Sequence, residues 1–274
     1  MRSTFHSLET SKRALLTQQA ALMTVGHNIA NAATEGYSRQ RVNLSAARPI
    51  EAPGMQSSTA PGQIGTGVQY DSIERLRDSY LDLQYRRENS SLSMWKVRNS
   101  TLDSIVTFIN EPSESGFRSV MDKFWDSLEV LNRDPGLLSA RIDLVSSAIN
   151  LTDTFNALDV SLRSLESDIQ LNIDRKVAQA NALIESIASM YTLIRRTEAM
   201  GNNANDFRDQ RDALVDQLSS IVDVQVIETP EGDYSIVAAG VTVVANGAFT
   251  PLALASVATA TSGELAGYRY SLEE

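Results

Sequence analysis

The sequence predicts a mainly α-helical chain with a smaller β part: an elongated long-helix bundle or coiled coil followed by a short β-meander. Three observations carry this reading. No glycine or proline occurs between Gly136 and Gly201, and apolar residues there step by three and four, as one face of a helix does. Near the start, Leu8, Leu15, Leu22 and Ile29 recur every seven residues. From Ile221 the period falls to two, with Val222, Val224 and Val226 alternating with Asp223 and Gln225.

Residues 3–30 read as a helix, with Ser3 or Thr4 as candidate caps. Ala14 and Ala21 flank its thin leucine stripe, and the companion positions Ser11, Lys12, Gln18 and Gln19 are polar. So narrow a stripe fits a coiled-coil seam or one-sided packing face, or an ordinary surface helix. Asn28-Ile29-Ala30-Asn31-Ala32-Ala33-Thr34-Glu35-Gly36-Tyr37-Ser38-Arg39-Gln40 reads as a helix end and an anchored turn. The Asn28 and Asn31 amides can bond backbone groups. Gly36 can take the positive φ of a sharp exit. Tyr37 offers an apolar ring with a polar tip, and Arg39 a planar five-donor fork.

Gln40–Leu44 alternates as a half-exposed strand, and residues 45–67, rich in proline and glycine, read as a loop. Gly62-Gln63-Ile64-Gly65-Thr66-Gly67 lacks the Lys-Ser/Thr and the preceding buried strand of a phosphate loop. From Asp71 to Asn110 a helix is predicted, on the spacing of Leu76 with Leu83 and of Trp95, Leu102 and Ile109. Arg75, Arg77, Arg86 and Arg87 on it read as a solvated face balanced by Asp71, Glu74, Asp78, Asp82 and Glu88, or as a contact for an acidic partner. Glu111-Pro112-Ser113 stops it. Phe117, Val120, Met121, Phe124, Leu128 and Leu131 mark a shorter amphipathic helix ended by Asp134-Pro135-Gly136.

In the long stretch that follows, Phe155, Leu158, Leu162, Leu165 and Ile169 form one seam. After a phase shift Ile173, Val177, Ala180, Ile184, Ile187, Tyr191 and Ile194 continue it, with a break near Asn150 or Asn172 an open alternative. After a turn at Gly201–Asn205, the segment from Asp206 to Ser219 reads as a helix with Leu214 and Leu218 inward. Asp206, Asp209, Asp212 and Asp216 share a face there, and interleaved Arg208 and Arg211 favour ion pairing over a Mg or Ca site. Strands are then predicted around Val222–Val226, Tyr234–Val237, Val241–Val244 and Phe249–Leu254, with Asn246-Gly247 a hairpin turn. The partition is thus 1–40, helix and turn; 41–70, extended linker; 71–220, helical; and 221–274, β.

Composition narrows function. The 274 residues allow one large or two ordinary domains. Aromatics are only 6%, so the core rests on Leu, Ile, Val and Ala. A net charge of −10 argues against nucleic acid as a partner. No apolar run reaches the ~18 residues of a membrane span, and the N-terminus lacks the apolar core of a secretory signal. The absence of cysteine removes disulfides, thiolate metal sites and cysteine catalysis. With His6 and His27 the only histidines, no nucleophile–base pair emerges, so neither catalysis nor a cofactor is expected.

The turn carries a resemblance. Ile29-Ala30-Asn31, Thr34, Gly36-Tyr37 and Arg39, with Asn28, resemble the Asn-Asn-Ile-Ala-Asn…Thr-x-Gly-Tyr-x-Arg signature of the bacterial flagellar axial proteins. His27 stands where that family usually has Asn, and Glu35 where Pro, Asp or Ala is common. Gly65-Thr66-Gly67-Val68, Ile73-Glu74-Arg75, Asp78, Leu81, Gln84 and Arg86 resemble its next stretch. Asp209-Gln210-Arg211-Asp212, Leu214-Val215 and Leu218-Ser219 look like the Asp-Gln-Arg-Asp-x-Leu-Val-x-x-Leu-Ser stretch of the hook-associated protein 1 family, and Arg141 after Asp134-Pro135 fits too.

The resemblance implies a structural, non-enzymatic subunit exported by the type III machinery without a cleaved signal. It would be extracellular, at the hook–filament junction. Its partners would be itself in a ring or helix, the hook protein and the second junction protein. Leu8, Leu15, Leu22 and Ile29, with Asn28, Ala30, Asn31, Thr34, Gly36, Tyr37 and Arg39, are the expected interface. In the family this helix packs on a C-terminal helix and neighbouring subunits. Gly263-Glu264-Leu265-Ala266-Gly267 resembles a further family stretch, and the chain is expected to correspond to the family's N-terminal half. A hook or rod protein, or a coiled-coil adaptor outside the flagellum, is the alternative.

Overall fold

The computed structural model describes residues 5–49, 64–110, 113, 116–229, 232–255 and 269–272. Helix α1 spans His6–Ala30, and strands β1 (Gln40–Ala46) and β2 (Val68–Arg75) form an antiparallel pair. Helices α2 (Ser79–Ile109), α3 (Phe117–Arg133), α4 (Leu138–Ala199) and α5 (Asn205–Ser219) follow. Strands β3 (Val224–Glu228), β4 (Tyr234–Ala238), β5 (Val241–Ala245) and β6 (Ala248–Phe249) make one sheet in chain order. Strands β7 (Leu252–Ala255) and β8 (Arg269–Leu272) pair separately. The class is the expected one, mainly helical with a smaller β part. The candidate caps Ser3 and Thr4, the segment Gly62-Gln63, Glu111-Pro112 and Gly263–Gly267 lie outside the described residues.

Two compact units divide the chain, the first built from Met1–Arg87, Asn181–Pro251 and Leu272–Glu274, the second from Glu88–Ala180 and Leu252–Ser271. Both are discontinuous in sequence, whereas the predicted partition runs in consecutive segments.

In the first unit, the meander closes over the last turns of α4 and over α5. Val224, Tyr234, Ile236, Val243 and Val244 bury their side chains, as do Ile184, Ile187, Ile194, Val215 and Leu218. The predicted inward set from Ala180 to Ile194 is the buried one. Tyr191 stacks on Tyr234 with centroids 6.1 Å apart and donates from its hydroxyl to the Gly232 carbonyl. Two consecutive valines, Val243 and Val244, are both buried because the β4–β5 register slips between Ile236 and Val237. An extra residue at that point resets which face the side chains take. The fourth predicted strand is divided: Ala248–Phe249 completes the sheet, and Leu252–Ala255 leaves it for β8.

Helix does not begin at Asp71 as expected. Residues 68–75 are strand, with Val42 opposite Ile73 and the Asn43 amide donating to the Ser72 hydroxyl. The helix starts only at Ser79, where the Tyr80 amide donates to Asp78 Oδ1. Strand β2 is half-exposed on both faces, so its apolar alternation is too weak to be read locally.

In the second unit, α3 lays its apolar stripe on α4, and Phe117 meets the ring of Phe155 edge-on at 4.9 Å. Arg141 donates twice to the Pro135 carbonyl, pinning the turn before α4. Helix α4 is unbroken over 62 residues, about 93 Å at ~1.5 Å per residue. Neither Asn150 nor Asn172 interrupts it. Its predicted seam is only partly inward. Leu158, Leu165 and Ile169 are half-buried, while Phe155 and Leu162 are exposed because Thr154 and Ser161 occupy the inward positions. Trp95 and Leu102 of α2 are likewise exposed.

Candidate assembly site

Helix α1 has two faces, and the apolar one is the free one. Leu8, Leu15, Leu22 and Ile29 are between 65% and 72% exposed. The face turned to the β1–β2 pair is small and polar: Thr10, Ala14, Thr17, Ala21, Thr24 and Asn28, with Thr17 and Thr24 buried. Small side chains let a strand approach a helix closely. Thr17 donates to the Val68 carbonyl, and a Cβ added to Gly67 would lie 3.1 Å from Thr10 Cγ2. The threonines at 10, 17 and 24 repeat every seven residues, so this face was visible in the sequence beside the leucine repeat that drew attention.

The signature turn is closed by its own side chains. Asn28 Oδ1 accepts from the Gln40 backbone amide at 2.9 Å and from the Tyr37 hydroxyl at 2.7 Å. Its Nδ2 donates to the Gln40 carbonyl at 2.9 Å. One amide thereby clamps the two ends of the turn, satisfying both backbone groups of Gln40, the first residue of β1. Burial, with Asp206 and Asp209 nearby, raises the Tyr37 phenol above its ordinary range and keeps it a donor. Asn31 Nδ2 donates to the His27 carbonyl, and Thr34 Oγ1 to Asn31 Oδ1. His27 meets the Tyr37 ring edge-on and places Nε2 3.3 Å from Asp206 Oδ1. The chain leaves through Gly36 at φ +80°.

Helix α5 receives this turn. The Ser38 amide donates to Asp209 Oδ2 at 3.0 Å, and the Gln40 side-chain amide to Asp206 Oδ1 at 2.8 Å. From the strand side, Arg75 Nη1 donates to Asp209 Oδ1 at 2.8 Å and to Asp212 Oδ2 at 2.9 Å. Arg77 bonds Asp82 and lies 3.5 Å from Asp216, which also takes Arg86 Nε at 2.7 Å. Arg211 reaches Asp212 and Glu228 and lies over the Tyr234 ring at 4.0 Å. Arg208 joins Glu198 to Glu228. Burial disfavours charge on Arg77, Arg208 and Arg211, yet their carboxylate partners outweigh it and all three are held above the ordinary guanidinium range.

The cluster corrects one expectation and shows which partners the α5 aspartates take. Arg75, Arg77 and Arg86 are not a solvated face with local partners. Apart from Arg77 with Asp82, their partners sit on α5, and Arg86 is buried. The four α5 aspartates are each paired with donors: Asp206 with Gln40, Asp209 with Ser38 and Arg75, Asp212 with Arg75 and Arg211, and Asp216 with Arg86 and Arg77. Among the described residues no group of three or more His, Cys, Asp or Glu is placed to hold a metal ion.

The expected site residues therefore divide. Asn28, Gly36 and Tyr37 cluster with Asp209, Arg211 and Asp212, joining two stretches that the sequence kept apart. Leu8, Leu15, Leu22, Ile29, Ala30, Thr34 and Arg39 are exposed, as is Gln210. Val215 and Leu218 are core, and Leu214 is half-buried. Ser38, Gln40, Glu228 and Tyr234 were missed: Ser38 and Gln40 find their partners on α5, more than a hundred residues distant, and Glu228 and Tyr234 meet Arg211 across a turn that breaks any shared periodicity.

The family model described as "Flagellar hook-associated protein FlgK helical domain" matches residues 102–270, more than half of the chain. The chain belongs to the flagellar hook-associated protein 1 (FlgK) family. The "Flagella basal body rod protein" model matches residues 8–37, which span α1 and its turn. Flagellar hook-associated protein 1 of Bacillus subtilis is 39% identical over 243 residues, 89% of this chain and 48% of the relative. That of Salmonella typhimurium is 32% identical over 80% of this chain and 38% of the relative. That of Escherichia coli is 30% identical over 80% and 39%. The chain thus spans half or less of the length of these FlgK relatives. The flagellar hook junction protein FlgK of Burkholderia pseudomallei shares the fold, with a TM-score of 0.54 and 22% identity over 65% of this chain and 31% of that one.

Proposed function

We propose that this chain is a structural, non-enzymatic subunit of the bacterial flagellum that joins hook to filament by self-assembly. The observation that carries the reading is the exposed leucine repeat of α1 opposite a face already committed to β1–β2. A stripe of four large apolar residues on a helix whose other face is fixed is a surface built for a neighbour. Contacts of this kind, made head-to-tail between copies, close into a ring or continue as a helix. Its neighbours would be further copies, the hook protein and the second junction protein. Export would use the type III machinery, placing the subunit outside the cell at the junction.

Electron microscopy of cells lacking the coding region tests this. Hooks without filaments, with flagellin shed into the medium, are the expected result. Missing hooks would move the subunit inward to rod or hook, and normal filaments would sink the flagellar role.

A further inference from the structure

Among the described residues the α5 ion-pair cluster is not placed to hold a metal ion, and its charges are costly to bury unless they are well paired. Its bonds have a direction. Glu228 on β3 holds Arg211, Arg211 holds Asp212, Asp212 shares Arg75 with Asp209, and Asp209 holds the Ser38 amide in the turn that ends α1. Both oxygens of Asp209 are used, one by the hairpin and one by the turn, and the side chain is buried. Ala213, one helical turn on, lies directly against Gly36.

We propose that Asp209 is the positioning residue for assembly: it fixes the signature turn, and with it the direction in which α1 presents Leu8, Leu15, Leu22 and Ile29 to a neighbouring copy. The inference rests on the assembly reading above and gives the α5 motif its role. The meander and α5 form a rigid platform through Val215, Leu218, Val224 and Ile236, which are buried. Helix α1 and the β1–β2 pair, by contrast, bury little apolar side-chain area. Their fixation depends on polar bonds, and Asp209 supplies one to each, to the Ser38 amide of the turn and to Arg75 of β2. A carboxylate taking a guanidinium and a backbone amide is a strong, directional acceptor that an amide of the same shape cannot replace.

Asp209→Asn, with Asp209→Glu and Leu218→Ala beside it, tests the role by amide hydrogen exchange on the purified 274-residue chain and by filament attachment in cells carrying each variant. Asp209→Asn is expected to speed exchange at Ser38 and through β1 by on the order of ten-fold or more, leave β3–β5 protected as before, and abolish attachment. Asp209→Glu, which keeps the charge, is expected to restore part of both. Leu218→Ala is expected to speed exchange in α5 and β3–β5 first. The role is overturned if Asp209→Asn leaves Ser38 and β1 unchanged, or if it loosens the meander equally and so acts on the whole fold. If Ser38 exchange rises while deletion of the gene leaves normal filaments, the positioning stands and the junction reading fails.

Discussion

Gly36 of the signature turn faces Ala213 of α5 with no room for a side chain: a Cβ built on Gly36 would lie 3.0 Å from Ala213 Cβ, and Gly36 sits at φ +80°. Two separate penalties therefore meet at Gly36→Ala. The left-handed backbone costs about 1–2 kcal/mol for a residue with a Cβ, and the contact adds to it. Ala213→Gly removes the contact but not the backbone penalty. In a double-mutant cycle read by chemical denaturation, Gly36→Ala is expected to be destabilising and Ala213→Gly to restore only part of the loss. Full restoration would show that the positive φ is not limiting. Gly36→Val, larger and β-branched, is expected to abolish assembly while leaving the helical content of residues 79–219 intact by circular dichroism.

Leu15 lies on the other face of α1 and is 71% exposed. Leu15→Asp touches no core contact, so its effect on stability is expected within ~0.5 kcal/mol. Filament attachment is expected to be lost, because a charge in the middle of the stripe must be desolvated against a neighbour. A variant that melts early, or one that assembles normally, would each contradict the division of α1 into a fixed and a free face.

The contrast between these two positions shows how much the sequence could reveal. Gly36, Asn28 and Tyr37 carry their own local chemistry, so a helix end, a sharp turn and its anchors were legible. The heptad at Leu8–Ile29 was legible too, yet its exposure was not, since periodicity gives a face and not what covers it. Thr10, Thr17 and Thr24 form the buried repeat, which a hydrophobicity reading passes over because threonine is polar. Arg75 and Arg86 were placed on a local acidic face because i,i+4 spacing is the only partner rule that one segment offers. Their real partners, Asp209, Asp212 and Asp216, are set by tertiary packing. Residues 71–75 of strand β2 were read as helix for the same reason: their register comes from β1, not from their own pattern.

Tyr234 is almost fully buried, and its hydroxyl finds no hydrogen-bond partner among the described residues, while its ring carries the Arg211 guanidinium at 4.0 Å and stacks on Tyr191. The ring therefore does the packing and the hydroxyl does not. Tyr234→Phe is expected to be neutral or stabilising by up to ~1 kcal/mol, since it removes a desolvated polar group. Tyr234→Leu keeps apolar bulk but loses the aromatic face beneath Arg211, and is expected to cost about 1–3 kcal/mol. Thermal unfolding of the two variants decides it: a large loss from Tyr234→Phe would mean that the hydroxyl is bonded after all.

Asp212 gives the cluster its pH dependence. Burial alone would raise its carboxyl, but Arg211, Arg75 and Arg77 outweigh burial and hold it below the ordinary value of 3.8. A carboxyl depressed in the folded chain binds its proton more readily when unfolded. The stability it contributes is therefore complete above the ordinary value and is lost as pH falls through the depressed one. The folded chain is expected to keep its midpoint in urea from pH 7 down to about pH 5 as far as this group is concerned, then to weaken steeply below about pH 4. In Asp212→Asn that acid limb should be shallower, starting from a lower plateau. Asp212→Ala is expected to cost about 1.5–3 kcal/mol at neutral pH, because Arg211 and Arg75 lose a buried charged partner and keep only Glu228 and Asp209. Urea titrations of the wild type and both variants at pH 3, 4, 5 and 7 measure this directly, and an unchanged acid limb in Asp212→Asn would transfer the acid sensitivity to other carboxylates of the cluster.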